Sequence, residues 1–189
     1  MKTDEYSSTS KAFHWVIVIL VALDFLIAWI MPGVRRSLAN PPGIVMIHFS
    51  VGIIILVVML LRLAWRLTHR VLPEPPGTPQ WQAIAAKATH YSLYASLVAM
   101  PFVGWAWASS LGWPVSFFGL VTLPAIVPKS PVIVRVAGEA HVLLAALIIG
   151  LIGFHTLAAL YHWLLLDDGV MERMVPKYLL DRLRGDARA

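Results

Sequence analysis

The chain has 189 residues, 59% of them hydrophobic and 13% charged, with seven histidines, no cysteine and a net charge of +5. A mean hydropathy of +0.75 is more than a soluble domain of this size can hide, so composition points to a single-domain integral membrane protein. The basic residues flank apolar runs, where they set topology, and no nucleic-acid-binding motif accompanies them.

Cysteine-free sequence excludes disulfides, thiolate-ligated iron–sulfur clusters and covalent Cys-x-x-Cys-His haem attachment. Any redox cofactor must therefore be held by histidine. In chain order, residues 1–10 are polar, and Ser7 to Ser10 offer caps for a first span over about residues 12–31. That run lacks a small-x-small cleavage site and is expected to be retained as a span. His14 stands at its start, Asp24 lies just past its middle, and Pro32-Gly33 ends it. A connection with Arg35, Arg36 and Asn40-Pro41-Pro42-Gly43 leads to a second span over about 44–65, with His48 one turn inside. This span leaves through Arg62, Arg66, His69 and Arg70 into a proline-rich loop.

A third span over about 83–109 carries His90 and Pro101, a proline that membrane helices tolerate. Residues 110–135 are apolar but interrupted by Gly112, Pro114, Gly119, Pro124, Pro128 and Pro131. They are expected to lie at the interface with one short helix and Trp113 at headgroup depth. A fourth span over about 136–166 ends at Asp167-Asp168-Gly169, and a short, polar, basic tail follows. The expected fold is an all-α, integral membrane four-helix bundle occupying residues 1–189.

Of fifteen Lys and Arg residues, only Arg35, Arg36, Lys129 and Arg135 fall outside when the N-terminus is placed inside. The positive-inside rule then puts both termini in the cytoplasm. His141 and His155, fourteen residues apart, return to within roughly 40° of one another and stand ~21 Å apart along a helix. Span direction converts position into depth. His48 and His141 meet near the outer face, and His14 and His155 near the inner one. Two axial imidazoles from different helices are what a six-coordinate b-type haem needs. Gly52, Gly150 and Gly153 would let a flat ring approach the backbone. A lone membrane histidine is often a hydrogen-bonding core residue, and it is the pairing by depth that favours ligation. His90 shares the inner depth and competes with His14, or serves a propionate or quinone. His69 and His162 are expected to be solvated or interfacial.

Ile47-His48-x-Ser50-x-Gly52, then Arg62-Leu63-x-x-Arg66-Leu67, then Gly153-x-His155 after His141 resemble the bacterial cytochrome b561 family. His14-Trp15, His90 with Pro101, and Phe118-Gly119-Leu120 before Pro124 also fit. The resemblance covers nearly the whole chain. It implies a four-helix bundle with two non-covalent b haems on His14 with His155 and His48 with His141, in a bacterial cytoplasmic membrane. It also implies electron transfer involving a quinone, with superoxide oxidation as one activity of the family.

Asp24 is no part of that pattern. A charge at mid-span costs ~2.5–3.5 kcal/mol on insertion scales, so Asp24 should face the bundle interior. There it is a proton relay, a hydrogen-bond partner of a haem ligand, or a neutral acid bonded to a neighbouring helix. Quinone chemistry also needs protons, for which His90, Asp24 and Glu139 are candidates. Bis-histidine iron has no open position, which leaves outer-sphere electron transfer. Arg35, Arg36, Lys129 and Arg135 form a candidate funnel for a small anionic donor, or contact headgroups and propionates. Two other classes are a haem-bearing anchor subunit of a dehydrogenase or hydrogenase and a histidine-lined metal transporter. The short tails favour a self-standing unit, and the single mid-span acid argues against a transport path.

Overall fold

A computed structural model describes residues 5–31, 41–69, 71–75 and 77–185. Its first helix, α1, runs Ser8–Trp29, with Ser7 as N-cap accepting the Ser10 N–H at 3.2 Å. Helix α2 is Gly43–Thr68 and α3 is Gln80–Leu111, unbroken through Pro101. Helix α4 is Pro131–Tyr161, capped by Ser130, and a π turn at His162–Leu166 extends it. It begins five residues before the expected span, because Pro131 occupies the first helical position, where its missing N–H costs nothing.

Among the described residues three helical stretches are long and apolar enough to cross a membrane: Ser8–Trp29, Gly43–Thr68 and Pro131–Leu166. Helix α3 is as long, but Lys87, His90 and several serines lower its hydropathy. The most extensive helix packing joins α3 to α4, followed by α1 to α2 and α2 to α3. Apolar residues four apart make the seams. Ile17 and Val21 of α1 meet Val51, Ile55 and Met59 of α2, and Leu97 and Val98 of α3 pack against them. Ile152 brings α4 to the same cluster.

Between α3 and α4 the structure replaces the expected short helix with a β-hairpin. Strand β1, Val115–Phe117, pairs antiparallel with β2, Val121–Leu123. The reason is local. Val115, Phe117, Val121 and Thr122 are residue types that favour strands. The turn needs positive φ at Phe118 (48°) and Gly119 (75°), closed by the Leu120 N–H on the Phe117 carbonyl at 2.9 Å. The fully buried Ser50 of α2 holds this turn down. Its hydroxyl donates to the Met46 carbonyl at 2.8 Å and accepts the Phe118 N–H at 2.8 Å. Trp113 is likewise inside, 8% exposed, in a second cluster with Val45, Ala108 and Val115. It follows Gly112, whose φ of 78° ends α3 and lets the Trp113 N–H reach the Ala108 carbonyl.

The tail is folded, not merely polar. A 3₁₀ turn, Met171–Arg173, precedes a last helix, α5, Lys177–Gly185. The Tyr6 N–H donates to the Arg173 carbonyl at 3.3 Å, and the Trp15 indole N–H to the Met174 carbonyl at 3.3 Å. The Arg173 guanidinium donates to the Pro73 carbonyl at 2.6 Å. This end of the bundle is thus tied across by chain from three regions.

Ser50→Ala removes the acceptor of the part-buried Phe118 N–H while leaving the helix intact. Losing a hydrogen bond of this kind costs about 0.5–1.5 kcal/mol. The variant is expected to show a lower Tm than wild type in detergent, and an unchanged melting curve would show that the hairpin is not held there.

Candidate functional site

Helix α4 is the ruler of the site. His141, Ile148 and His155 follow at seven-residue intervals, each about two turns on, so all three stay near one face. Ile148 is 1% exposed. A dry, packed side chain therefore stands midway between two imidazoles that are ~21 Å apart along the axis.

At one end, the ring of His48 from α2 lies 6.2 Å from that of His141, with the planes at 77°. Helix α3 shapes the place of His141. A Cβ on Gly104 would stand 3.2 Å from Cε1 of the ring, so any larger residue would make the ring give way by a few tenths of an ångström. Trp107, one turn on, approaches the same ring at 5.5 Å between centroids and lies across Gly138. Asp24 of α1 reaches His48 from the other side, with Oδ1 2.8 Å from Nδ1. The contact has ion-pair distance but lies off the ring N–H direction, so it falls short of a well-aligned hydrogen bond.

At the other end, His14 of α1 lies 6.2 Å from His155, with planes at 70°. His90 of α3 lies 5.2 Å from His155 on another side. The donor set can be tested against a metal held between two rings. A metal–imidazole bond of about 2.0–2.1 Å, plus about 1.1 Å from nitrogen to ring centre, places trans imidazoles about 6.3 Å apart. Both 6.2 Å pairs fit that span, whereas His90 to His155 is too short. Among the described residues no three His, Asp or Glu side chains are grouped to hold a free metal ion. The residues fit a ligand shared by two histidines, as in haem, better than a bare cation.

Cβ atoms added to Gly52, Gly150 or Gly153 would meet nothing within 4 Å, so these positions leave room beside the backbone. Arg62 and Arg66 stack over the Tyr94 ring, 5.3 and 5.6 Å from its centroid, at the end of the bundle holding His14. With Trp65, Ser10 and Met174 they line a pocket. His69 stacks on Trp65 at 3.5 Å. His162 contacts the Asp168 carboxylate through Nδ1, beyond the paired histidines. Of the four funnel residues, Arg135 is exposed near the start of α4, and Lys129 is exposed with its stem across Gly112. Arg35 and Arg36 lie outside the described residues. Glu139 is exposed rather than turned into the bundle.

Sequence reasoning missed Gly104, Trp107 and Gly138. A glycine at 104 followed by Trp105 and Trp107 was the available signal, since small and very large residues alternate where helices approach closely.

The comparisons with known proteins come to the same region of protein space. A family model described as prokaryotic cytochrome b561 matches residues 5–177. A Yersinia pestis protein named as a probable superoxide oxidase, CybB, is 33% identical over 178 residues, covering 92% of this chain and 97% of that one. Two Escherichia coli K12 proteins, cytochrome b561 homologs 2 and 1, are each 29% identical, covering 92% of this chain and 93% and 98% of theirs.

Gly104→Val must push the His141 ring aside, since even its Cβ falls at the 3.2 Å contact. If His48 and His141 hold a haem, the variant is expected to lose part of the visible haem absorbance and of the low-spin electron paramagnetic resonance signal of wild type. Full retention of both signals would remove Gly104 from the site.

Proposed function

Because the chain belongs to the prokaryotic cytochrome b561 family of membrane electron-transfer proteins, we propose that it moves electrons across the bacterial cytoplasmic membrane on two b-type haems. One is held between His48 and His141 and the other between His14 and His155. The observation that supports this most directly is the pair of equal 6.2 Å ring separations, each joining α4 to a different helix. In this reading α3 is the fourth span, with Thr89, Ser96, Ser109 and Ser110 turned into the bundle. Both termini are cytoplasmic, so the His48 end faces outward.

Bound haem supplies one-electron exchange with no coordination position open to oxygen. The chain's own residues do the rest. The four histidines fix two planes about 21 Å apart along α4. Ile148 and the seam of α1 with α2 exclude water between them. Arg62 and Arg66, backed by Tyr94, offer cationic donors at the inner end to haem propionates or to a quinone head group. His90, beside His155, is placed to hold or pass a proton to the same head group. At the outer end Lys129 and Arg135, with Arg35 and Arg36, attract a small anionic donor. The similarity to a protein named as a probable superoxide oxidase makes superoxide the first donor to test.

Stoichiometry tests the core of the proposal. Pyridine-haemochrome assay is expected to give two haems per chain, all extracted by acid acetone because no cysteine tethers them. His48→Ala and His141→Ala should lose one and the same haem, and His14→Ala and His155→Ala the other. His90→Ala should keep both. One haem per wild-type chain, or a high-spin signal in His90→Ala with His14→Ala unchanged, would overturn the assignment.

The anionic donor has its own signature. Electrostatic focusing raises association by roughly 10–10³ and is screened over ~10 Å at 0.1 M salt. Haem reduction by superoxide or another anionic reductant should slow with added salt, and slow further in Arg35→Gln, Arg36→Gln and Arg135→Gln. Reduction by a neutral quinol should change little. Equal salt dependence for the two donors would dismiss the funnel and leave the haem assignment standing.

A further inference from the structure

Helices α1 and α2 exchange roles between the two ends. α1 gives a histidine, His14, at the inner end and a carboxylate, Asp24, at the outer one. α2 gives a histidine, His48, at the outer end and, fourteen residues later, a guanidinium, Arg62, at the inner. The outer pair thus has a negative partner and the inner pair a positive one. Asp24 Oδ1 and His48 Nδ1 are 2.8 Å apart, and their side chains are only 17% and 18% exposed. Among the described residues neither atom makes a well-aligned hydrogen bond, so the approach is an ion-pair contact. Arg62 lies within electrostatic reach of both His14 and His155. Neither inner histidine has an ion-pair contact among those described, whereas His48 has one.

From this juxtaposition, and resting on the two-haem reading above, we propose that Asp24 is a positioning residue that makes the His48 site the more oxidising-stable of the two and so gives the electron path its direction. The chemistry is that of a carboxylate behind a metal-bound imidazole. At 2.8 Å from Nδ1 the carboxylate favours the proton on that nitrogen, leaves Nε2 as the ligating one, and by its charge makes the ring a stronger donor. A stronger, partly anionic donor stabilises the ferric over the ferrous ion. At the inner end Arg62 favours the state with one more electron. An electron arriving at the outer pair therefore runs downhill to the inner pair, where the pocket of Arg62, Arg66 and Tyr94 lies. Lys129 and Arg135 oppose Asp24 in sign, but both are exposed and screened by water, whereas Asp24 acts from inside the bundle.

The test is an optical and electron paramagnetic resonance redox titration of the detergent-solubilised holoprotein. His141→Ala and His14→Ala assign each wave to one pair. In wild type the inner haem is expected to be reduced first. In Asp24→Asn the reduced-to-oxidised ratio of the outer haem at fixed ambient potential should rise at least tenfold, equivalent to about 59 mV for one electron. The inner haem should not move, and the outer low-spin signal should shift toward that of a neutral imidazole. Asp24→Glu should stay near wild type. A shift of less than twofold in Asp24→Asn, with both haems bound, would overturn the inference. So would reduction of the outer haem first in wild type, which decides the matter even if Asp24→Asn fails to assemble. A wild-type preparation with one haem would instead overturn the two-haem reading on which this rests, so the two failures are distinguishable.

Discussion

Two imidazoles held 6.2 Å apart on different helices are a demanding arrangement, because each ring is the tip of a side chain on a separate rigid rod. The tolerance is a few tenths of an ångström, and helix packing has to supply it. Helix α4 carries one ring of each pair, so its height and rotation enter both sites at once. What surrounds it follows from that demand. Gly104 lets α3 close on His141, Trp107 fills the space over Gly138, and Ser130 with Pro131 fixes where α4 starts. A register shift of one residue would turn both histidines by about 100° and dismantle both pairs.

The region between the pairs has a different duty. Ile148, Met59, Val51 and Ile55 are among the best buried side chains, and none has a polar atom that hydrogen-bonds. Apolar packing of this kind excludes water and keeps the local dielectric low, so charges placed at the two ends act strongly where they stand. At the His48 end that charge is the part-buried carboxylate of Asp24. The His14 end is handled otherwise. Arg62 and Arg66 lie over the Tyr94 face, an arrangement that keeps guanidinium groups near the bundle.

The ends are closed by unlike devices. At the His48 end a small hairpin is pinned by one serine hydroxyl, and its first strand packs on α2. At the His14 end the segment after α4 turns through Asp167 and Gly169, both at positive φ, and is tied to Tyr6, Trp15 and Pro73. His162 with Asp168 stabilises that turn, with Asp168 also accepting the Val170 N–H. The histidine one step further along the α4 stripe is thus engaged by the turn rather than by the paired site.

Much of this was legible in the chain alone. The apolar runs, the fourteen-residue spacing on α4 and the alternation of span direction bring His48 to His141 and His14 to His155, because helical rise and the positive-inside rule convert sequence position into depth. The same arithmetic cannot say which side of a ring a neighbour occupies. It left His14 and His90 at one depth, and the packing of α3 sets the His90 ring 5.2 Å from that of His155, against 6.2 Å for His14. It left Asp24 with three roles, and only the pairing of α1 with α2 put its carboxylate on His48. Residues 110–135 read as a broken helical stretch, since prolines and glycines stop helices without announcing a hairpin. The strand pairing there is decided by the turn at Phe118 and Gly119 and by Ser50, sixty-eight residues away in sequence. Depth is a one-dimensional property that periodicity encodes. Contact around the helix axis is set by how neighbouring helices rotate and approach, and that is decided only when the whole bundle packs.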